Sequence, residues 1–529
     1  MHRVVAPFYS IGLGCFSATA KALPNGICAM GRISFQTIDR NRFTDRLLER
    51  AFVTGMEGIP CHGEIVVGKD SLHVDKPTHE SGHFHVPWQS ESHGEILLPT
   101  TSLRESQHPY QLELEVARGT LFRLQTYLNE RLEGADIGDK LYQKYGLAKQ
   151  RLMEALTGRE NPEHAYKAAQ ESITLTLDVI DELCLTDARQ LIDQRKNAND
   201  QLGTLLGTRL DKLPQHDAAM DEISGAMNSI VVPFNWRECS PDAGKYHFND
   251  VDRVLGWVHQ QEVKVIGGPI IQLDHNLPDW VYLWDNDFTT FQSYMKQYVA
   301  EVVTRYKGRV HAWISSAGLN VGGPMRFSEE QIVRLAVDVV EVIREIDRKT
   351  PVLITFDQPW GDYMATRQCD LAPIQFADAL ARAEIGINGI GIDLKLGEHE
   401  HHSLPRDFLE ISRLLNRWSM LQLPLVISLQ LPNESFASDN TSPGFHGIGL
   451  PPSKDENGVV DVEPSTWSEH RIMHLMELIM AKPVVQAVFW NQLSDHDNPN
   501  HPMAGLLDSE GNPKPVVTSL RNLRESHLG

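Results

Sequence analysis

The 529-residue chain has no apolar run of 18 residues, which excludes a helix spanning a bilayer as a reading of the sequence. It has only six cysteines (Cys15, Cys28, Cys61, Cys184, Cys239, Cys369), far apart and without a C-x-x-C pair, so neither a zinc knuckle nor a disulfide framework is signalled. Basic charge is short: 49 Lys plus Arg stand against 70 Asp plus Glu, a net charge of -21 that repels a phosphate backbone and an anionic membrane surface alike. Nucleic acid and membranes are therefore not expected partners. No G-x-G-x-x-G follows a strand, which removes the dinucleotide-binding signature of a doubly wound sheet. Gly and Pro, 38 and 29 residues, are spread along the chain, and 41% of residues are hydrophobic, so the composition is that of a globular protein with a large core.

The chain divides by texture. Residues 1–29 combine Arg3, an apolar run from Val4 to Phe16 and Ala18-Thr19-Ala20, the features of a signal peptide; the rival is an over-extended start ahead of Met30. The first would make the protein secreted or periplasmic, the second cytoplasmic. Residues 30–117 offer short β-branched runs broken by Gly, Pro and His, such as Gly63 to Gly68 and Gly94 to Pro99, the pattern of a small all-β module. Its histidines (His79, His83, His85, His93) fit no standard metal spacing. Residues 118–201 turn to Leu, Ala, Glu, Lys and Arg at helical spacing, with breaks at Gly134-Ala135-Asp136 and Asn161-Pro162, which predicts three helices.

From residue 202 to 529 strand and helix signals alternate. Strands are expected at Leu202 to Leu210, Ser229 to Asn235, Val263 to Ile271, Arg309 to Ser315, Val352 to Phe356, Gly389 to Leu394, Leu425 to Leu431 and Val484 to Trp490. Eight strands with amphipathic helices between them predict an α/β fold, a (β/α)8 TIM barrel preceded by the β module and the helical segment. The site of such a barrel is built at the C-terminal strand ends, and these are rich in acids, amides and tryptophan: Asn235-Trp236, Asp274-His275, Asp357-Gln358, Asp393-Leu394-Lys395, Gln430 to Glu434 and Trp490-Asn491-Gln492. Acids and amides bond hydroxyls and indole faces cover sugar rings, so a polysaccharide or oligosaccharide is the expected ligand. No cofactor and no metal is expected; the dense Glu398-His399-Glu400-His401-His402 run reads as a solvated loop.

Several motifs of residues 202–525 resemble glycoside hydrolase family 10, the retaining endo-β-1,4-xylanases. The carriers are Asn235-Trp236 with Pro241 to Phe248, Gly267-Gly268 through Leu277-Pro278-Asp279-Trp280, Arg305-Tyr306-Lys307-Gly308-Arg309 through Trp313, and Val488-Phe489-Trp490 with Leu507 to Pro515. The resemblance implies a xylan-type β-1,4-glycan and two catalytic glutamates, yet the family's W-D-V-V-N-E reads Trp313-Ile314-Ser315-Ser316-Ala317-Gly318. Its I-T-E-L-D reads Ile427-Ser428-Leu429-Gln430-Leu431, in which strand alternation turns Gln430 rather than Leu429 to the cleft. Gly318 and Gln430 can supply neither proton donor nor nucleophile, so standard retaining hydrolysis is expected to be lost while sugar binding persists. Asp357 matches the Asp of the family's N-D-Y, and Asp393-Leu394-Lys395 replaces its Q-S-H. The expected sugar contacts are Asn235, Trp236, Asp274, Asn320, Asp357, Asp393, Lys395, Gln430, Trp490 and Asn491, with the two tryptophans on opposite sides of the cleft. Two other readings are an active O-glycosyl hydrolase using displaced carboxylates, foremost Asp274 and Glu434, expected to lie too far apart to cooperate, and a barrel serving only as scaffold.

Overall fold

The computed structural model describes residues 31–38, 45–68, 71–131, 137–158, 160–199, 201–213, 217–274, 276–397, 402–433, 467–496 and 503–528. Residues 1–29, His275, Glu398 to His401 and Glu434 lie outside them.

Eight parallel strands close a barrel: Leu205–Arg209, Ser229–Val232, Lys264–Gly267, Ala312–Ala317, Val352–Asp357, Gly389–Lys395, Leu425–Gln430 and Val485–Trp490, called barrel strands one to eight. Each pairs with its neighbours in sequence, strand eight pairs with strand one, and strand three reaches strand four through Ile266 and Gly267, so no edge is left open. The expected (β/α)8 TIM barrel is therefore what the chain forms. The strands are largely apolar because both sheet faces are covered. Val231, Ile266, Ile314, Leu353, Val426, Ala487 and Phe489 fill the barrel interior, while the alternate residues pack outward against the helices. Strand three is interrupted at Gly268–Pro269 and resumes as Ile271–Gln272, which pairs with the end of strand four. A Cβ at Gly268 would sit 2.3 Å from the Ile314 carbonyl oxygen, so this close crossing of backbones admits only glycine.

The N-terminal part folds as two four-stranded sheets, Glu64–Val67, Leu72–Lys76, Gly31–Gln36 and Tyr110–Gln111 in one, and Pro60–Cys61, Phe52–Thr54, His83–Ser90 and Gly94–Pro99 in the other. Ile33, Phe35, Val74, Phe84 and Trp88 form its core, with Phe35 stacked on Phe84 at 5.1 Å. The four histidines are engaged separately: His79 with Glu105, His83 with the Thr100 carbonyl, His85 with Thr54 and His93 with Asp181. Three helices follow at Leu112–Glu130, Asp139–Thr157 and Pro162–Asn199, the first opening a few residues before the 118 boundary read from composition. Among the described residues no helix is long and apolar enough to cross a membrane.

The N-terminal part grips the barrel on its site-bearing side. Arg50 donates to the carbonyl of His402 (2.9 Å), His62 meets the carbonyl of Ala365 (3.0 Å) and the Leu97 amide donates to the Pro405 carbonyl (2.9 Å). Arg123 of the first long helix pairs with Asp407 at 2.6 Å, and Asp407 caps the helix Phe408–Ser419 by accepting from the Glu410 amide. These contacts fall on the segments that follow barrel strands five and six.

Candidate sugar-binding site

Strand parity decides what lines the barrel mouth. Because Leu353, Val426 and Phe489 point inward, so do Asp357, Gln430 and Asn491, two or four residues further along the same strands. The same parity turns Arg209, Asp393 and Lys395 inward on strands one and six, and Gln430 rather than Leu429 on strand seven; Leu429 is fully buried in the outer core.

The centre of the mouth is an ion cluster. The Lys395 ammonium lies 2.5 Å from an Asp357 carboxylate oxygen and 3.9 Å from one of Asp393. Asp357 and Asp393 are register partners on adjacent strands, and each is 6% exposed. Burial works against the charged form of Lys395, but the facing Asp357 and Asp393 carboxylates outweigh it and hold the ammonium protonated well above the ordinary lysine range. Asp393 moves the other way. Burial first, and then the Asp357 charge, push its carboxyl up to about 6 against the pull of Lys395, a hydrogen bond with Ser428, and Arg209. Arg209 holds Asp211 through two hydrogen bonds of 2.8 and 2.9 Å. Arg209 and Asp211 are not among the expected contacts; their signal in the sequence is an arginine at an inward position of strand one.

Gly318 adopts a left-handed backbone conformation with φ of 66° at the end of strand four. A Cβ built there would point at Asp357, 3.9 Å from its Cβ and 4.0 Å from Oδ2. The strand-five carboxylate thus sits beside the space that a side chain at 318 would enter. Asn320, expected as a sugar contact, is committed to the backbone of the same residue: its Nδ2 donates to the Asp357 carbonyl at 2.7 Å and its Oδ1 accepts from the Asp357 amide at 3.0 Å. It positions Asp357. Gln430 donates to Gln492 at 3.2 Å, and Asn491 donates to Gln430 at 3.5 Å, which makes an amide rim along strands seven and eight. A second amide chain runs from Asn235 through Asn276 to Gln272, with bonds of 3.0 and 3.1 Å.

Two expectations are corrected by burial. Trp236 is 2% exposed, stacked on Tyr298 at 5.2 Å and flanked by Trp280 and Phe291, because the short helix it opens turns the ring into the aromatic core. Trp490 is also 2% exposed; it has the outward parity of strand eight, and its indole N–H donates to the Ala504 carbonyl at 2.7 Å. Neither indole presents a free face to a ligand. Asp274 is exposed at the rim and accepts from the Asn276 amide, and its proposed partner Glu434 is outside the described residues. His402 is the one member of the acidic-histidine run that is described, and it is buried.

A family model described as "Glycosyl hydrolase family 10" matches residues 194–314. The chain is 25% identical over 163 residues to the endo-1,4-beta-xylanase C of Paenibacillus barcinonensis, a match covering 28% of this chain and 15% of that protein. Among solved structures, the family 10 protein of Paenibacillus barcinonensis aligns at 19% identity and a TM-score of 0.45 over 62% of this chain and 97% of that one. The native xylanase 10B of Thermotoga maritima aligns at 14% identity and a TM-score of 0.45, again over 62% of this chain and 97% of that one. The family-model match ends before position 318 and so includes neither place where a catalytic glutamate is expected. Over the part it does cover, from the end of the helical segment into barrel strand four, the chain is similar to glycosyl hydrolase family 10.

Proposed function

We propose that the barrel mouth binds a xylan-type β-1,4-glycan and that the retaining hydrolysis characteristic of family 10 is lost. The observation that carries this reading is the pairing of Gly318 and Gln430 at the two expected glutamate positions with a mouth still lined by acids, amides and a lysine. Retaining cleavage needs two carboxyl groups about 5 to 5.5 Å apart that flank the scissile bond. The acids left at the centre, Asp357 and Asp393, rise from neighbouring strands and share one ammonium, an arrangement suited to grasping hydroxyls from one side.

Calorimetric titration with xylo-, cello- and manno-oligosaccharides, paired with an assay for released reducing ends, tests the reading. Binding without product release is expected. Absence of binding to any of them would favour a scaffold. Product release that disappears on Asp357→Asn or Asp393→Asn would instead identify a hydrolase with displaced carboxylates.

A further inference from the structure

We infer that Asp393 enters the glycan complex as a protonated carboxylic acid that donates a hydrogen bond to a sugar hydroxyl, so that binding at this mouth is linked to a proton. This rests on the glycan-binding reading above and adds to it a specific donor.

The argument begins with the count of charges around one point. From strand five comes Asp357; from strand six, Asp393 itself and Lys395; from strand one, Arg209, which is bound to Asp211 through Nε and Nη2. Strand seven contributes only the neutral Ser428 and Gln430, while Asp274, after strand three, acts on Arg209 and Lys395 from the rim. One ammonium therefore serves two register-paired carboxyls, and it serves them unequally, at 2.5 Å from Asp357 and 3.9 Å from Asp393. Adjacent strands are about 4.8 Å apart, too near for two buried carboxylates to be charged at no cost. Asp393 is the one with the weaker hold on the cation, and a proton on it removes the excess charge. The direction in which its carboxyl titrates agrees.

A protonated carboxyl has one O–H to donate, which an ionised one lacks. A sugar ring laid over the mouth displaces water from around Asp393 and raises its proton affinity further. The bound state then holds the proton more tightly than the free state, and by linkage affinity must fall as pH rises through the free carboxyl's pKa.

Two measurements test this separately. The first needs no ligand: infrared difference spectra of the full-length protein between pH 4.5 and 8 should contain a buried carboxylic-acid carbonyl band that titrates near pH 6 and is missing in Asp393→Asn. A band unchanged by the substitution would overturn the protonation of Asp393. The second is titration with xylohexaose at pH 5 and pH 8. Wild-type affinity should drop by about tenfold, the scale of a carboxyl whose proton affinity rises about tenfold on binding, while Asp393→Asn binds equally at both. Xylohexaose binding that is independent of pH in the wild type would overturn the linkage while leaving the glycan reading standing. Failure to bind any oligosaccharide at either pH, with the band intact, would overturn the glycan reading and the linkage together but not the protonated state.

Discussion

Removing the Lys395 ammonium while keeping its stem, as Lys395→Met does, isolates the charge arrangement of the mouth. The substitution leaves Asp357 and Asp393 side by side, each 6% exposed, without the cation that lay 2.5 and 3.9 Å from them. Breaking a buried pair by removing one partner typically costs about 3 to 5 kcal/mol. The Lys395 side chain retains 21% exposure, so water reaches this pair and about 2 to 3 kcal/mol is the fitting expectation at pH 8. The loss depends on pH with a definite sign. Asp393 already has a folded-state pKa above its unfolded value, and losing the ammonium raises it further. The folded form then keeps a proton that the unfolded form has released, so stability falls as pH rises through that interval and the deficit closes below about pH 4, where both forms are protonated. Urea denaturation followed by tryptophan fluorescence at pH 4.5 and 8 measures both the size and the slope. The double substitution Lys395→Met with Asp357→Asn should recover most of the loss, since it removes the unpaired charge. A single variant within 0.5 kcal/mol of wild type at pH 8 would refute the reasoning, as would an equal deficit at both pH values.

Arg123→Ala should cost about 3 to 5 kcal/mol in the same denaturation assay, because it strands Asp407, whose side chain is 1% exposed. Burial alone would raise the Asp407 carboxyl, but Arg123 holds it below its ordinary value, so this loss should be full at neutral pH and shrink as pH falls below the usual carboxylate range. Trp236→Ala should destabilise by about 3 to 5 kcal/mol, the cost of a large core truncation, and leave oligosaccharide affinity within about twofold by calorimetry, because its ring is covered by protein. Gly318→Glu should lose about 1 to 2 kcal/mol from the left-handed backbone position, and the pair Gly318→Glu with Gln430→Glu should release no reducing ends from xylan above background.

The barrel was legible because its signals are local. Runs such as Ser229-Ile230-Val231-Val232 and Leu425-Val426-Ile427 announce buried strands, and period-two alternation alone turns Gln430 inward on strand seven. The surface of the barrel mouth was legible only in part, because a residue at a strand end can be claimed by distant partners. Trp236 is claimed by Tyr298, 62 positions away, and Asn320 by the backbone of Asp357, 37 positions away. Neither claim leaves a trace in spacing. Arg209 is hidden for a different reason: it is the last residue of a strand, and only the parity of that strand turns it inward.

The residues at the mouth are coupled in space. Gly318 removes a side chain from the place that Asp357 now borders, and Asn320, two residues on, fixes the Asp357 backbone from both sides. Lys395 stands on strand six at the height of Gln430 on strand seven, its register partner. A glutamate at 430 would bring a third carboxylate to an ammonium already shared by two, whereas glutamine adds hydrogen-bonding capacity without charge. A side chain at 318 would likewise start beside Asp357, whose Oδ2 lies 4.0 Å from the Cβ position. The lysine, the two aspartates, the glycine and the glutamine therefore form one electrostatic arrangement, in which a further carboxylate at 318 or 430 would meet a like charge. A mouth organised this way is built to hold a fixed charge pattern, and introducing either carboxylate alone works against the ion cluster that occupies the centre.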